Sequence, residues 1–223
     1  MLYRVVRAVL RVIFRLVWRP TVEGLEHVPG RGPLLVASNH LSFVDSIVIP
    51  LVLPRHVSFL AKAEYFEGGG LLGWPRRTWF RMMGAIPVRR DEQRDARASL
   101  DKALAVLATG DAFGLYPEGT RSRDGRLYRG RTGVGWLALE SGAPVLPVGL
   151  VGTDAVQPVD ARVPRRAPVT VRFAPLVRPE GYTGTGSAAQ ARRRLTDDVM
   201  DAIHAMTGQE RAPGYNERSH SAP

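Results

Sequence analysis

The stretch Leu34-Leu35-Val36-Ala37-Ser38-Asn39-His40-Leu41-Ser42-Phe43-Val44-Asp45 joins an apolar run to a polar turn and to the start of a second apolar segment. The apolar run over 34–37 predicts a buried strand, since it does not alternate with polar residues. An apolar helix is predicted over 43–53, ending before Pro54, which cannot continue it. This stretch therefore predicts a strand, a turn that holds polar side chains, and a helix.

The rest of the chain repeats this order of elements. Apolar runs predict strands at 57–61, 85–88, 112–116, 145–151 and 169–173. Helices are predicted from Asp91, a plausible N-cap, to Gly110, over 134–140, and after Ser187 as N-cap of the last helix. Strands that alternate with helices of this length favour an α/β fold with a mainly parallel central sheet flanked by helices.

Composition sets the size and class of the protein. With 223 residues, 44% apolar and 23% charged, the chain suits one domain with a full core. We predict an N-terminal helix over 1–19, a single domain over 20–206 and a disordered tail over 207–223. The chain has no cysteine, which excludes disulfides, thiolate nucleophiles and cysteine-ligated metals.

The charge predicts an anionic partner. A formal net charge of +10 arises from 31 Lys and Arg against 21 Asp and Glu. Such an excess attracts nucleic acid, an anionic membrane surface or phosphorylated ligands, and charge alone does not choose among them.

Residues 1–19 predict a basic amphipathic helix. At about 100° per residue its five arginines fall within an arc of about 120°, and apolar residues cover the rest. These arginines interrupt the ~20 apolar residues that a bilayer span needs, so the helix is expected to lie on a membrane surface. The alternative is a first helix that packs on the core with a solvated arginine face. The arginines are Arg4, Arg7, Arg11, Arg15 and Arg19.

A second segment could also meet lipid. Residues 63–83 are apolar and poorly periodic, with several Gly, Trp, Phe and Met residues. They could line a lipid-facing groove or form an irregular connection in the core.

His40 and Asp45 are candidates for acid–base chemistry. Five residues apart on one helix, they would lie about 140° apart, so they meet only if His40 precedes the helix and Asp45 lies in its first turn. With Ser42 at the N-cap, Asp45 would be the third helical residue and could simply cap the helix. Alternatively, Asp45 orients the imidazole of His40 so that it accepts a proton from a substrate hydroxyl.

A second motif, Tyr116-Pro117-Glu118-Gly119-Thr120-Arg121-Ser122, follows a predicted strand. Gly119 lets an anion approach the backbone, and Arg121 can bind a phosphate with two hydrogen bonds. Glu118 could orient Arg121 or bind an acceptor hydroxyl, and an ordinary exposed turn is the alternative. A base together with an anion cradle suits acyl transfer from a thioester to the hydroxyl of a phosphorylated acceptor.

Four blocks, in order over about 20–180, resemble the glycerolipid acyltransferase family typified by 1-acyl-sn-glycerol-3-phosphate acyltransferase. They are 39–45, 84–90, 116–122 and 143–148. The chain departs from the family pattern in Tyr116 for Phe, in Ala143 for Val and in Arg131-Thr132 where two lysines are common. The resemblance implies His40 as general base with Asp45 as its partner, and substrate-binding residues Asn39, Arg90, Glu118, Gly119, Thr120, Arg121 and Pro147, of which Pro147 has an acyl-chain or fold role.

The resemblance also implies an activity. It is transfer of a fatty acyl group from acyl-CoA or acyl-carrier protein to the free hydroxyl of lysophosphatidic acid, giving phosphatidic acid for phospholipid biosynthesis. No metal, cofactor or nucleic acid is expected, and the enzyme is expected to be peripheral on the cytoplasmic face of the cell membrane. Two alternatives are an acyltransferase for another lysophospholipid or a glycolipid, and a catalytically silent lipid- or nucleic-acid-binding protein.

Overall fold

The computed structural model describes residues 2–62, 86–88, 93–159, 161, 163–184 and 186–217. The strands are β1 (Thr21–Glu23), β2 (Leu34–Ser38), β3 (Val57–Lys62), β4 (Ile86–Val88), β5 (Ala112–Leu115), β6 (Val145–Val151) and β7 (Thr170–Phe173). The helices are α1 (Leu2–Trp18), α2 (Asp45–Val52), α3 (Gln93–Ala108), α4 (Gly133–Ser141), α5 (Thr153–Val156) and α6 (Ala188–Thr207), with 3₁₀ turns at Leu25–His27 and Pro179–Tyr182.

The strands form one seven-stranded sheet in the order β1-β7-β6-β2-β5-β3-β4. Neighbouring strands are parallel except β6 and β7, which are antiparallel. Strand β2 lies at the centre, where Ala37 is opposite Pro147 of β6 on one side and Leu115 of β5 on the other. The predicted α/β fold with a mainly parallel sheet is confirmed.

Helices cover both faces of this sheet, which explains why β2 is apolar at consecutive positions. Leu34 and Val36 pack into a core with α1 and α2, whereas Leu35 and Ala37 pack into a second core with α3, α4 and α6. All five residues of β2 are fully buried. The central strand therefore ends, and the turn after it begins, inside the protein.

The predicted elements agree with the observed ones to within a few residues, and one predicted cap is confirmed. Ser187 caps α6 in a capping box with Gln190. The three-residue strand β1 and the one-turn helix α5 were not predicted, since neither is long enough to show a periodic pattern. The stretch 63–83, Arg90 and Asp91 lie outside the described residues.

Helix α1 packs on the core with one face and leaves another face exposed. Phe14 is buried in the core, and Arg11 donates to the carbonyl oxygens of Leu51 at 2.7 Å and of Val52 and Leu53 at 3.2 Å each, at the C-terminal end of α2. A different face of α1 remains exposed and apolar. Its exposed apolar residues are Val9, Val12, Ile13, Leu16 and Val17. No helix in the described ranges is long and apolar enough to cross a bilayer.

The predicted disorder after residue 206 is wrong for residues 208–217, here called the C-terminal strap. The strap runs beside residues 125–131. Leu127 donates to Glu210 O at 2.8 Å and accepts from Ala212 N at 2.9 Å, and Arg129 N donates to Gly214 O at 2.9 Å. The order of the strap comes from backbone hydrogen bonds with a distant segment, so no apolar pattern in the strap's own sequence predicts it. Residues 218–223 lie outside the described residues.

Candidate active site

His40 and Asp45 meet in the turn between β2 and α2. His40 Nδ1 lies 2.8 Å from Asp45 Oδ2, and the same oxygen accepts hydrogen bonds from Leu41 N and Ser42 N at 2.8 Å each. The carboxylate is fully buried. One oxygen of Asp45 thus holds both the backbone of the turn before α2 and the imidazole ring.

The predicted helix start is corrected. Val44 is the N-cap of α2, and Asp45 is the first helical residue instead of the third. The Ser42 hydroxyl instead donates to Gln157 O at 2.7 Å, which ties the turn to the segment after β6.

This geometry selects one tautomer of a neutral His40 ring. A carboxylate oxygen only accepts, so Nδ1 carries the hydrogen and Nε2 keeps its lone pair. The side chain of His40 is 16% exposed, so the imidazole is within reach of a ligand while Asp45 is not. A base oriented in this way can take a proton from a hydroxyl.

Tyr116 holds the His40 ring from one face. The two rings stack at a centroid distance of 3.7 Å and an interplanar angle of 8°. The Tyr116 hydroxyl forms a 2.8 Å hydrogen bond with Ser46 Oγ of α2. Burial, reinforced by the charge of Asp45, raises the pKa of Tyr116 well above its usual range, so its hydroxyl stays neutral. The Tyr116 hydroxyl, which a Phe would lack, therefore adds a hydrogen bond with Ser46 of α2 to the stacking on His40.

The second motif brackets the backbone of His40. His40 N donates to Glu118 Oε1 at 3.0 Å, and Ser122 N donates to His40 O at 2.7 Å. The other carboxylate oxygen, Glu118 Oε2, accepts from Tyr128 N at 3.0 Å. The second motif therefore binds both the N–H and the C=O of His40.

Glu118 is fully buried, and both of its oxygens accept backbone hydrogen bonds, one of them from His40. Glu118 thus positions the backbone of His40 in this structure, and its predicted role at the acceptor stays a prediction. Burial raises the pKa of Glu118 to about 7, although the hydrogen bonds from Tyr128 and His40 oppose this shift.

Asn39 and Pro147 also lie in the interior. Asn39 Nδ2 donates to Leu150 O at 2.9 Å, and Asn39 Oδ1 accepts from Leu150 N at 2.8 Å, which joins the end of β2 to β6. Pro147 is buried within β6, opposite Ala37. In these positions both residues help to hold the sheet together beneath the site, and their predicted substrate-binding role stays a prediction.

Gly119, Thr120 and Arg121 form the part of the second motif that ligands can reach. Gly119 has φ +82°, and a Cβ there would lie 3.0 Å from Arg131 Nε, so a side chain would be strained and crowded. Thr120 and Arg121 are partly exposed. Within the part of the chain that the structure describes, the Arg121 guanidinium has no hydrogen-bond or ion-pair partner. Arg121 is therefore available for an anion.

Three strap residues support this loop and were missed by the sequence analysis. Asn216 Nδ2 donates to Arg121 O at 3.1 Å, and Arg131 Nη2 donates to Asn216 O at 3.2 Å. The Tyr215 ring lies 5.6 Å from the guanidinium carbon of Arg131. Gln209 bridges Asn39, at 2.8 Å, and Gly125 O, at 2.7 Å. No motif or periodicity marks these residues, since their partners are distant in sequence.

Comparisons with known proteins found a matching family model and similar enzymes. A family model described as Acyltransferase matches residues 19–151. A chloroplastic 1-acyl-sn-glycerol-3-phosphate acyltransferase of Brassica napus is 32% identical over 142 residues, which cover 63% of this chain and 40% of that protein. The alpha form of the same enzyme from Mus musculus is 30% identical over 169 residues, covering 74% of this chain and 57% of that protein. The chain thus spans less than two thirds of these relatives.

One solved structure shares the fold. The 1-acyl-sn-glycerophosphate acyltransferase of Thermotoga maritima superposes with a TM-score of 0.67 at 24% identity, over 90% of this chain and 80% of that chain.

Proposed function

This chain belongs to the acyltransferase family, and we propose that it transfers a fatty acyl group from acyl-CoA or acyl-carrier protein to the free hydroxyl of lysophosphatidic acid, giving phosphatidic acid in phospholipid biosynthesis. The observation that supports this most directly is the 2.8 Å contact of His40 Nδ1 with buried Asp45, which leaves Nε2 as a base. The likeness to enzymes named for this reaction supports the choice of acceptor.

In the proposed mechanism His40 Nε2 removes the proton of the acceptor hydroxyl. The hydroxyl oxygen then attacks the thioester carbonyl, and a C–O bond forms as the carbonyl π bond opens. When the intermediate collapses, the C–S bond breaks and the departing thiolate takes the proton from the imidazolium. Asp45 stabilises the imidazolium that exists between these steps.

Activity itself tests the proposal. The full chain is mixed with acyl-CoA or acyl-carrier protein and with a series of acceptors in vesicles, and free thiol and product lipid are measured. We expect thiol release that depends on lysophosphatidic acid. Preference for another lysophospholipid or a glycolipid would reassign the acceptor, and no thiol release with any acceptor would favour a catalytically silent lipid-binding protein.

Arg121 is proposed to bind the acceptor phosphate. A hydrogen bond to a charged group contributes about 1.5–3 kcal/mol, so Arg121→Ala should raise KM for the phosphorylated acceptor about ten- to a hundredfold. KM for the acyl donor should stay unchanged. Steady-state kinetics with each substrate varied checks both values.

Arg123→Ala is the matched control, because Arg123 is an exposed arginine two residues away. It should leave both KM values near those of the wild type. If Arg121→Ala lost affinity for donor and acceptor equally, the assignment of Arg121 to the acceptor subsite would be wrong.

We further propose that the protein is peripheral on the cytoplasmic face of the membrane and binds through α1. Its exposed apolar face includes Leu16, 68% exposed, and Val12, 56% exposed, beside the exposed arginines Arg15 and Arg19. Apolar side chains enter the interface while nearby arginines attract anionic lipid, at about 1 kcal/mol each.

The variant Leu16→Glu should weaken vesicle binding about tenfold or more. Full burial of a Leu side chain in the apolar region contributes about 1.5–3 kcal/mol, which the variant loses, and the new carboxylate is repelled by the anionic lipid. Leu16→Trp should strengthen binding, since Trp prefers the interface. Sedimentation with anionic vesicles measures both, and a thermal melt checks the fold. Unchanged binding in a folded Leu16→Glu protein would place the anchor elsewhere.

A further inference from the structure

A cavity of about 420 Å³ lies between α1, β1 and the C-terminal end of α2. Three arginines of the α1 segment line it, together with apolar side chains that include Phe14, Val22 and Leu51. No acidic side chain is among its described lining residues. The cavity therefore offers positive charge above an apolar floor, in the size range of small-ligand sites.

Two of the three arginines make no hydrogen bond or ion pair through their guanidinium groups within the described ranges. Arg11 already donates to the carbonyl oxygens that end α2. Arg15 and Arg19 are exposed, and within the described ranges their guanidinium groups have no hydrogen-bond or ion-pair partner. Two such groups on one wall suit a phosphate, which accepts several charge-assisted hydrogen bonds at once.

The backbone at Arg19 is unusual. It has φ +43°, the only positive value at a non-glycine residue in the described ranges, and its N–H donates to Arg15 O at 3.1 Å. A left-handed conformation costs an L-residue about 1–2 kcal/mol. This turn ends α1 before Pro20 and keeps Arg15 and Arg19 on the same cavity.

The occupant that fits this chemistry is both anionic and apolar. Phosphate alone would leave the apolar floor uncovered, and an uncharged lipid would leave the arginines without partners. The same helix exposes Val12 and Leu16, along which acyl chains can lie. We propose that this cavity binds the phosphate of an anionic phospholipid of the bilayer, whose acyl chains lie along the exposed face of α1.

This lipid is not the acceptor of the proposed reaction. Asp45 begins α2, whereas Leu51 and Val52, at its other end, line the cavity. At 1.5 Å per residue the helix separates them by about 10 Å. The short glycerol unit of one lysophosphatidic acid cannot place its hydroxyl at His40 and its phosphate here. The inference rests on the proposed membrane binding and is independent of the proposed chemistry.

The test uses the full chain and a soluble probe, sub-micellar dihexanoyl phosphatidylglycerol, with Tm as readout. At ten times Kd we expect a saturable rise in Tm of about 3–6 °C. Dihexanoyl phosphatidylcholine should give none, and inorganic phosphate a much smaller rise. An equal rise with inorganic phosphate would overturn the lipid assignment.

Variants place the probe in the cavity. Arg15→Gln with Arg19→Gln should abolish the rise, and Arg97→Gln, at an exposed arginine of α3, should retain it. Leu25→Trp narrows the cavity without changing the net charge, so it should weaken probe binding at least tenfold while the protein stays folded. A normal response in Leu25→Trp or in the double variant would overturn the site.

A last variant separates this inference from the proposed reaction. Arg121→Ala removes the proposed acceptor-phosphate contact and should leave the Tm response intact. Loss of the response in a folded Arg121→Ala protein would show that the probe binds at the acceptor subsite, which would also overturn the inference. Because the readout is Tm, an inactive protein with a normal response would count against the proposed reaction alone.

Discussion

His40→Ala is expected to lower kcat by about 10² to 10⁴, which is the usual contribution of a positioned general base. The substitution removes the Nε2 lone pair that takes the hydroxyl proton. The fold should survive, because the His40 peptide keeps its hydrogen bonds with Glu118 and Ser122. Initial rates at saturating donor and acceptor, beside a thermal melt, measure both effects.

Asp45→Asn should cost nearly as much activity. The amide can present its NH₂ group to Nδ1, which would select the wrong tautomer of His40.

His27→Ala is the matched control for His40→Ala, since this partly exposed histidine lies in the 3₁₀ turn after β1. A folded His40→Ala protein that turns over at the wild-type rate would disprove the mechanism.

Glu118→Ala is expected to lower the free energy of unfolding by about 2–6 kcal/mol. Each buried donor left without an acceptor costs about 1–3 kcal/mol, and Glu118 serves two, the amides of His40 and Tyr128. Activity should fall as well, because the turn that carries His40 loses one of its two backbone attachments to the second motif. Urea unfolding and kcat test the two effects on the same protein.

Glu140→Ala serves as the comparison, because this carboxylate lies exposed on α4. It should change the free energy of unfolding by less than about 0.5 kcal/mol. If Glu118→Ala were equally mild, the two hydrogen bonds of Glu118 would not hold the turn in solution.

The same residue gives the stability a pH dependence. The pKa of Glu118 is raised from its ordinary value of 4.5 to about 7 in the folded protein. Between these pH values Glu118 binds more protons in the folded state than in the unfolded state. Its contribution to stability is therefore highest below about pH 4.5 and is lost as the pH rises through 7. The full effect is about 3 kcal/mol. In Glu118→Gln this part of the pH dependence should disappear, so that its urea midpoints at pH 5 and 8 differ by less than those of the wild type.

Local sequence patterns predicted the elements that carry the candidate site. The apolar run over 34–37 predicted a buried strand, and the structure buries it between helices on both faces. The spacing of His40 and Asp45 showed that they can meet only if the helix begins after His40. Ser187 predicted the cap of the last helix, which the structure confirms. In each case the cause lies within a few residues of the pattern.

The roles of Glu118, Asn39 and Gln209 were decided only by the tertiary structure. Their partners are far away in sequence: Glu118 binds an amide 78 residues before it, and Asn39 pairs with a strand 111 residues after it. The order of the strap likewise depends on its pairing with residues 125–131.

The sequence by itself determined the fold class and the approximate positions of the longer strands and helices, and the spacing of His40 and Asp45 permitted them to meet, because periodicity, capping and short spacings are local properties of the chain. Only the tertiary structure decided that Glu118 and Asn39 are buried and hydrogen-bonded, that the Arg121 guanidinium has no partner within the described residues, and that α1 both packs on the core and exposes an apolar face. The physical reason is that burial and hydrogen-bond saturation depend on which distant groups the fold brings together.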